Sequence, residues 1–280
     1  MNAVQFEFVS VYNRTNNMNL NVEDKVFLLA GASRGLGYAI AEELAANGAK
    51  VYLGSRDTDA VSQAAQTLSE QYGVVSDGSE LNAADAASIS RWVAAARQRF
   101  GTIDGLLVNA GGPPPGQFNN FTDGDWQDAF ELTLMSAVRM IREVLPDMQA
   151  ARSGAILTLT SSSVKEPIDF LLLSNVMRAG VTSLAKSLSH QLAADGIRVN
   201  NLVPGVIYTD RIKSLDSLQA QLKEIPVEQQ RADAESSIPM GRYGEPREFG
   251  KAGAFLLSDA ASYITGSTLV VDGGTMKSLF

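Results

Sequence analysis

Gly31, Gly35 and Gly37 follow directly on an apolar run, Val26-Phe27-Leu28-Leu29-Ala30, and lead into a helical pattern. Glycines so spaced let the backbone turn tightly and approach a ligand closely, and the first N–H groups of the helix, with the positive end of its dipole, favour an anion. Strand, glycine turn and helix N-terminus together are the apparatus for a dinucleotide pyrophosphate, with Ser33, Arg34 and Leu36 completing the loop. Arg56, in Gly54-Ser55-Arg56-Asp57, lies roughly 20 residues past that turn, where such folds place the residue that reads the adenosine ribose. An acid there favours NAD, whereas Arg56 together with Arg34 offers charge-assisted, bidentate contacts to a 2′-phosphate. NADP(H) is therefore the favoured cofactor. Asp57, and the ordinary role of an arginine as solvated surface, keep NAD(H) open.

Other chemistries are poorly supplied. The chain has no cysteine, which excludes disulfides, thiolate nucleophiles and zinc–sulfur sites, and no metal centre is expected. Its single histidine, His190, has Leu188, Gln191 and Leu192 for neighbours and reads as a helix-surface residue rather than the base of a Ser-His-Asp triad. A formal charge of −8 leaves no basic stripe for nucleic acid.

The elements that must position these residues alternate along 280 residues. Lys25–Ala30, Lys50–Gly54, Gly105–Asn109, Ala155–Thr160, Arg198–Val203 and Thr268–Val271 read as strands between amphipathic helical segments, with a weaker strand near Val74-Val75 or Ser79–Asn82. That alternation predicts a single-domain, doubly wound α/β Rossmann fold: a parallel, seven-stranded sheet with helices on both faces. Residues 1–17 read as an appendage before a domain spanning 18–280, and the polar, helix-prone stretch from Tyr208 to about Tyr243 lies where α/β sheets carry a substrate lid. With no run of about 18 apolar residues and no signal-peptide layout, a cytoplasmic protein without a membrane partner is expected.

Taken in order, several motifs resemble the short-chain dehydrogenase/reductase family. The turn Ala30-Gly31-x-x-x-Gly35-x-Gly37 has that family's glycine spacing, with Ala30 in place of its threonine. Val108-Asn109-Ala110-Gly111, Pro204-Gly205-Val206-Ile207-Tyr208-Thr209, Ile238-Pro239-Met240-Gly241-Arg242-Tyr243-Gly244-Glu245-Pro246 and Ile264-Thr265-Gly266-Ser267-Thr268-Leu269-Val270-Val271-Asp272-Gly273-Gly274 follow its later signatures. The likeness runs from about residue 22 to 275 and is closest to the branch containing 3-oxoacyl-carrier-protein reductases. It implies that Asn109, Ala110 and Gly111 pass beside the adenine side of the cofactor. Asn82 replaces an acid against the base, and Pro204, Gly205, Ile207 and Thr209 line the nicotinamide. It also implies a homo-dimer or homo-tetramer through the helices holding Thr133 and Arg178. Gly112-Pro113-Pro114-Pro115-Gly116 is either a stiffened loop or a preformed wall of the substrate cleft.

The resemblance breaks at the active site. Family members use a serine on the carbonyl oxygen, a tyrosine as proton donor, a lysine four residues on and a supporting asparagine. Here those positions are Ser161, Ser174, Arg178 and Thr133. Ser174 and Arg178 share one helix face, and Arg178 keeps a cation for ribose hydroxyls, but an aliphatic hydroxyl is a far weaker acid than a phenol of pKa about 10. Substitute donors are Lys165, Glu166 and Tyr208, with Lys165 preferred because it follows Ser161 by four residues. The expected function is thus NADP(H)-dependent hydride transfer to or from a small-molecule carbonyl or alcohol, with an atypical proton donor. The alternatives are a catalytically impaired cofactor-binding sensor or scaffold, and a non-redox lyase or isomerase using the same cleft.

Overall fold

A strand covered on both faces has no reason to alternate polar with apolar residues, which is why the first strand, β1 (Val26–Ala30), is apolar and buried at every position. The computed structural model describes residues 18–279, so the expected 1–17 appendage lies outside the described residues. After β1 come α1 (Gly35–Ala46), β2 (Lys50–Ser55), α2 (Thr58–Tyr72), β3 (Ser76–Glu80), α3 (Ala86–Phe100) and β4 (Gly105–Val108). They are followed by α4 (Asp123–Ala129), α5 (Ser136–Ala151), β5 (Gly154–Leu159), α6 (Leu172–Leu192), β6 (Ile197–Pro204), α7 (Asp210–Lys223), α8 (Val227–Ser236), α9 (Pro246–Leu257) and β7 (Thr268–Val271).

The strands form one seven-stranded sheet in the order β3-β2-β1-β4-β5-β6-β7, parallel throughout. One core layer, containing Ile40, Leu44, Leu68 and Phe249, lies beneath α1, α2 and α9; the other, containing Ile89, Trp92, Met140 and Val181, lies beneath α3, α5 and α6. The single-domain doubly wound Rossmann fold is therefore as the alternation predicts. Strand order reverses between β1 and β4, and the crevice at such a reversal, outside the carboxyl ends of the strands, is where α/β sheets bind ligands. Only β3 departs noticeably from the expected bounds. Its Ser-Asp-Gly-Ser-Glu sequence follows Val74-Val75 and overlaps the expected Ser79–Asn82 by two residues, because this edge strand pairs with β2 through its backbone and carries no apolar signal.

The stretch expected as a lid folds into α7 and α8. Tyr243 ties it down: its hydroxyl donates to the buried Asp216 Oδ1 at 3.0 Å, and burial followed by that carboxylate pushes the phenol up to about 12. Tyr208 lies under two cations, Arg231 at 4.3 Å and Lys213 at 5.1 Å from its ring centre. Where the stretch meets α9, the Glu248 carboxylate accepts from Arg242 Nη1 at 2.8 Å, Arg242 Nη2 at 2.7 Å and the Glu245 N–H at 2.8 Å. Arg242 first, then that backbone N–H, hold the Glu248 carboxyl down at about 2.

A carboxyl whose folded pKa lies below its unfolded one stabilises the fold above the unfolded value and loses that contribution as pH falls towards the folded one. The pair is half exposed, so solvent screening limits it to at most about 1 kcal/mol. Glu248→Gln should lower Tm by about 1–3 °C at neutral pH. Scanning calorimetry should show the gap to wild type narrowing from about pH 4.5 to 2, and a gap that persists at the acid end would refute this account of the root of α9.

Candidate active site

The glycine turn sits at the carboxyl end of β1. Gly31 and Gly35 have φ of +60° and +66°, values that glycine adopts freely. A side chain on Gly37 would begin 2.5 Å from the Gly31 carbonyl oxygen, and one on Gly31 would begin 2.7 Å from Asn109 Nδ2. Asn109 donates to that carbonyl at 3.1 Å, stitching the end of β4 to the turn. Arg34 precedes α1 without capping it, and among the described residues no side chain takes up the N–H groups of the helix's first turn. Thr209 brings its methyl to within 4.0 Å of where a side chain on Gly35 would begin, so the 204–209 loop faces the same turn. A cradle this close, with open helix N–H groups, fits the pyrophosphate of a dinucleotide.

The adenosine end has free cations. Arg34 and Arg56 are exposed, and neither has a hydrogen-bond or ion-pair partner among the described residues. Asp57 is committed elsewhere, its Oδ1 accepting from the Ala60 N–H at 3.0 Å as the N-cap of α2. Ser33 Oγ donates to Ser55 Oγ at 3.0 Å, joining the turn to the end of β2. Asn82 leads into α3, with its N–H on Ser88 Oγ at 2.9 Å and its Oδ1 accepting from Ala84 at 3.2 Å, leaving its Nδ2 as the available donor. Ala110 packs partly buried on the core, and Gly111 faces open space. Pro204 ends β6; the Gly205 N–H donates to the Val271 carbonyl at 2.9 Å, and Ile207 is buried.

Three of the expected catalytic positions, Ser161, Ser174 and Arg178, gather around the end of β5. Ser161 caps a 3-10 turn, Ser162–Val164, its Oγ accepting from the Ser163 N–H at 3.2 Å. On α6, Arg178 donates through Nε to Ser174 Oγ at 3.1 Å and through Nη1 to the carbonyls of Leu159 at 3.2 Å and Thr160 at 3.4 Å. Burial first, and the positive charge of Arg211 second, push Arg178 down to about 10, so it remains a cation at neutral pH. Thr133 lies in a π-helical segment, Phe130–Met135, between α4 and α5. Its Oγ1 is buried without a partner, as is Ser163 Oγ. Such segments and such orphaned hydroxyls cluster at functional sites.

The substitute donors are dispersed. Lys165, just past the 3-10 turn, lines a cavity of about 300 Å³ with Thr182, Lys186, Asn201, Gly266 and Thr268; Ser161, Ser174 and Arg178 do not line it. Its spacing from Ser161 was the reason to prefer it, and the turn removes that reason by redirecting the chain. Glu166 Oε1 accepts the N–H groups of Lys277 at 2.8 Å and Ser278 at 2.9 Å, which occupies it with the C-terminal tail. Tyr208 is clamped between cations as described. His190 is exposed on α6. Sequence reasoning missed Arg211, whose Nη atoms lie 3.8 and 3.9 Å from where a side chain on Gly112 would begin. The available signal was a cation directly after Thr209-Asp210.

Comparison with known proteins agrees with this architecture. Residues 31–276 match the family model described as enoyl-(acyl carrier protein) reductase. The chain is 37% identical over 255 residues to the 3-oxoacyl-[acyl-carrier-protein] reductase FabG of Escherichia coli (strain K12), covering 91% of this chain and 98% of that protein. Among solved structures it is similar to L-sorbose reductase from Gluconobacter frateurii complexed with NADPH and L-sorbose, with a TM-score of 0.90, 31% identity and coverage of 94% and 100%. It is also similar to YwfH, an NADPH-dependent reductase involved in bacilysin biosynthesis, with a TM-score of 0.87, 28% identity and coverage of 92% and 100%.

Gly37→Val should abolish binding of nicotinamide dinucleotides, because its side chain would begin 2.5 Å from a backbone oxygen of the cradle. Nicotinamide fluorescence should report at least about a 100-fold weaker dissociation constant, the loss of two or more charge-assisted hydrogen bonds, while circular dichroism stays that of the folded protein. Retained binding would mean that the dinucleotide lies elsewhere.

Proposed function

The chain belongs to the short-chain dehydrogenase/reductase family and is an oxidoreductase of that family; from that premise we propose that it transfers hydride between NADP(H) and a small-molecule carbonyl or alcohol of 3-oxoacyl type. The observation that carries the proposal is the glycine cradle at β1, open at the α1 N-terminus and flanked by the partnerless Arg34 and Arg56. Two free guanidiniums at the adenosine end suit a 2′-phosphate, and Asp57, engaged as a helix cap, offers little competition as a reader of ribose hydroxyls. NADPH in the solved L-sorbose reductase, a protein similar to this one, supports the same preference. The proposal includes a cytoplasmic homo-dimer or homo-tetramer; among the described residues no helix is long and apolar enough to cross a membrane.

When bound, the reduced nicotinamide supplies the hydride. Ser161 holds the carbonyl oxygen from the end of β5, and Arg178 donates to ribose hydroxyls while anchored on β5 carbonyls. Ser174 accepts from Arg178 and keeps its own O–H to donate, so it can pass a proton to the developing alkoxide, but as a weak acid it does so inefficiently. Lys165, the donor first favoured by spacing, acts only if the 161–171 loop brings it round from its own cavity. A lyase or isomerase would draw its base from Lys165 or Glu166, and Glu166 Oε1 already accepts two tail N–H groups. The missing phenol does favour a second reading, a cofactor-binding sensor with little turnover.

Titration with NADPH and NADH tests the first step. Arg34→Ala combined with Arg56→Ala should weaken NADPH by roughly 10- to 100-fold, the value of one charge-assisted contact or two screened ones, and leave NADH nearly unchanged. Equal effects on both cofactors would remove the phosphate assignment. Ser174→Tyr with Arg178→Lys should raise NADPH oxidation across a carbonyl panel by on the order of 10² to 10⁴ if proton delivery is what limits the rate. Unchanged cofactor binding with no gain in rate would favour the sensor.

A further inference from the structure

Two guanidiniums meet beyond β4 with no ion-pair partner among the described residues. Arg178 Nη2 and Arg211 Nη2 each lie 3.8 Å from the point where a side chain on Gly112 would begin, with Arg211 Nη1 at 3.9 Å. Gly112 has no side chain, so that point is open. Arg178 spends Nε and Nη1 on three neutral oxygens, and its Nη2 is the donor left over. Arg211, exposed in the first turn of α7, has no hydrogen-bond or ion-pair partner among the described residues. Its neighbour Asp210 is paired with Lys213 at 3.1 Å. The loop continues as Pro113-Pro114-Pro115, which has no backbone N–H to offer, so the charged donors in this corner are the two arginines.

A buried cation beside a second positive charge is unfavourable until an anion joins them, and the guanidinium fork matches the two oxygens of a carboxylate. We propose that Arg178 and Arg211, meeting over Gly112, form a seat for the carboxylate of the substrate, so that this protein acts on carbonyl compounds that are themselves carboxylic acids. The inference rests on the oxidoreductase reading for what the seat serves, and it deepens that reading by naming the substrate class. The arginine at position 178 then bridges β5 to α6, and the two N–H groups of its Nη2 serve a ribose hydroxyl and half of an anion site. Arg211 supplies the other half from α7, which couples the presence of an acid in the cleft to the placement of that helix. The same chemistry has a second source, the cofactor's own phosphates, and the test separates the two.

The decisive experiment titrates phenylpyruvate and 3-oxobutanoate, each against its methyl ester, into wild type and Arg211→Gln, with and without saturating NADPH, reading dissociation constants by calorimetry. Arg211 is exposed and partnerless, so its substitution leaves the fold intact. At least one acid should bind wild type roughly 10- to 100-fold more tightly than its ester, and Arg211→Gln should erase that difference while the NADPH dissociation constant stays within about twofold. Acids and esters binding alike, or neither binding, would overturn the seat. A variant that weakens NADPH tenfold or more without changing the acid-to-ester ratio would assign the arginines to the cofactor instead. Arg211-dependent acid binding by a protein that takes no NADPH would leave the seat standing and overturn the oxidoreductase reading.

Discussion

Everything at the site depends on the split in the sheet between β1 and β4. To one side the chain runs outward through β2 to β3, and to the other through β5 and β6 to β7, so the connections leaving β1 and β4 diverge to opposite faces. No crossover covers the crevice between them, and the backbone there cannot be buried without partners for its polar groups. Glycine at 31, 35 and 37 meets that demand by letting the turn fold back within contact of β4, and Asn109 closes the gap with one hydrogen bond to Gly31. The N-terminus of α1 is left open to an anion as a result of this topology.

The second constraint is electrostatic. Arg178 is a largely desolvated cation whose partners are a hydroxyl and two carbonyls, none of them charged. In a family whose members carry lysine at this place, the planar fork changes what the residue can do. It reaches Ser174 on its own helix and the end of β5 with two of its nitrogens, and presents a third towards Gly112. Arginine holds its charge where burial would discharge a lysine more readily, so the corner remains positive even with Arg211 beside it. On the proposed reading, a serine at 174 and an arginine at 178 make this corner better suited to holding an anion than to strong acid catalysis.

Around this corner the covering elements are anchored by side chains rather than by sheet. Asp216 and Tyr243 join α7 to the loop before α9, and the Arg242–Glu248 fork fastens that loop to α9 itself. Tyr208, at the exit of β6, packs beneath Arg231 of α8 and Lys213 of α7. The C-terminal tail returns to Glu166 in the loop after β5, which steadies the segment following Ser161. Polar anchors of this kind hold a helical pair in place while leaving it free of the hydrophobic core, a condition for an element that opens and closes.

Local pattern carries much of this protein. Six of the seven strands announce themselves as largely apolar runs; β3 does not, since an edge strand of Ser, Asp, Gly and Glu owes its place to backbone pairing with β2. The glycine turn, Arg56 beyond β2 and the residues at 161, 174 and 178 are legible because each is tied to a fixed spacing within one element or at its end. The roles of Lys165, Glu166 and Arg211 are not. A 3-10 turn of three residues carries Lys165 towards β7, a tail more than 100 residues distant in sequence occupies Glu166, and a helix beginning after β6 sets Arg211 opposite Arg178. Spacing along the chain determines what a single element presents; only the packed structure, where long-range contacts decide which loops meet, determines which charges share a corner.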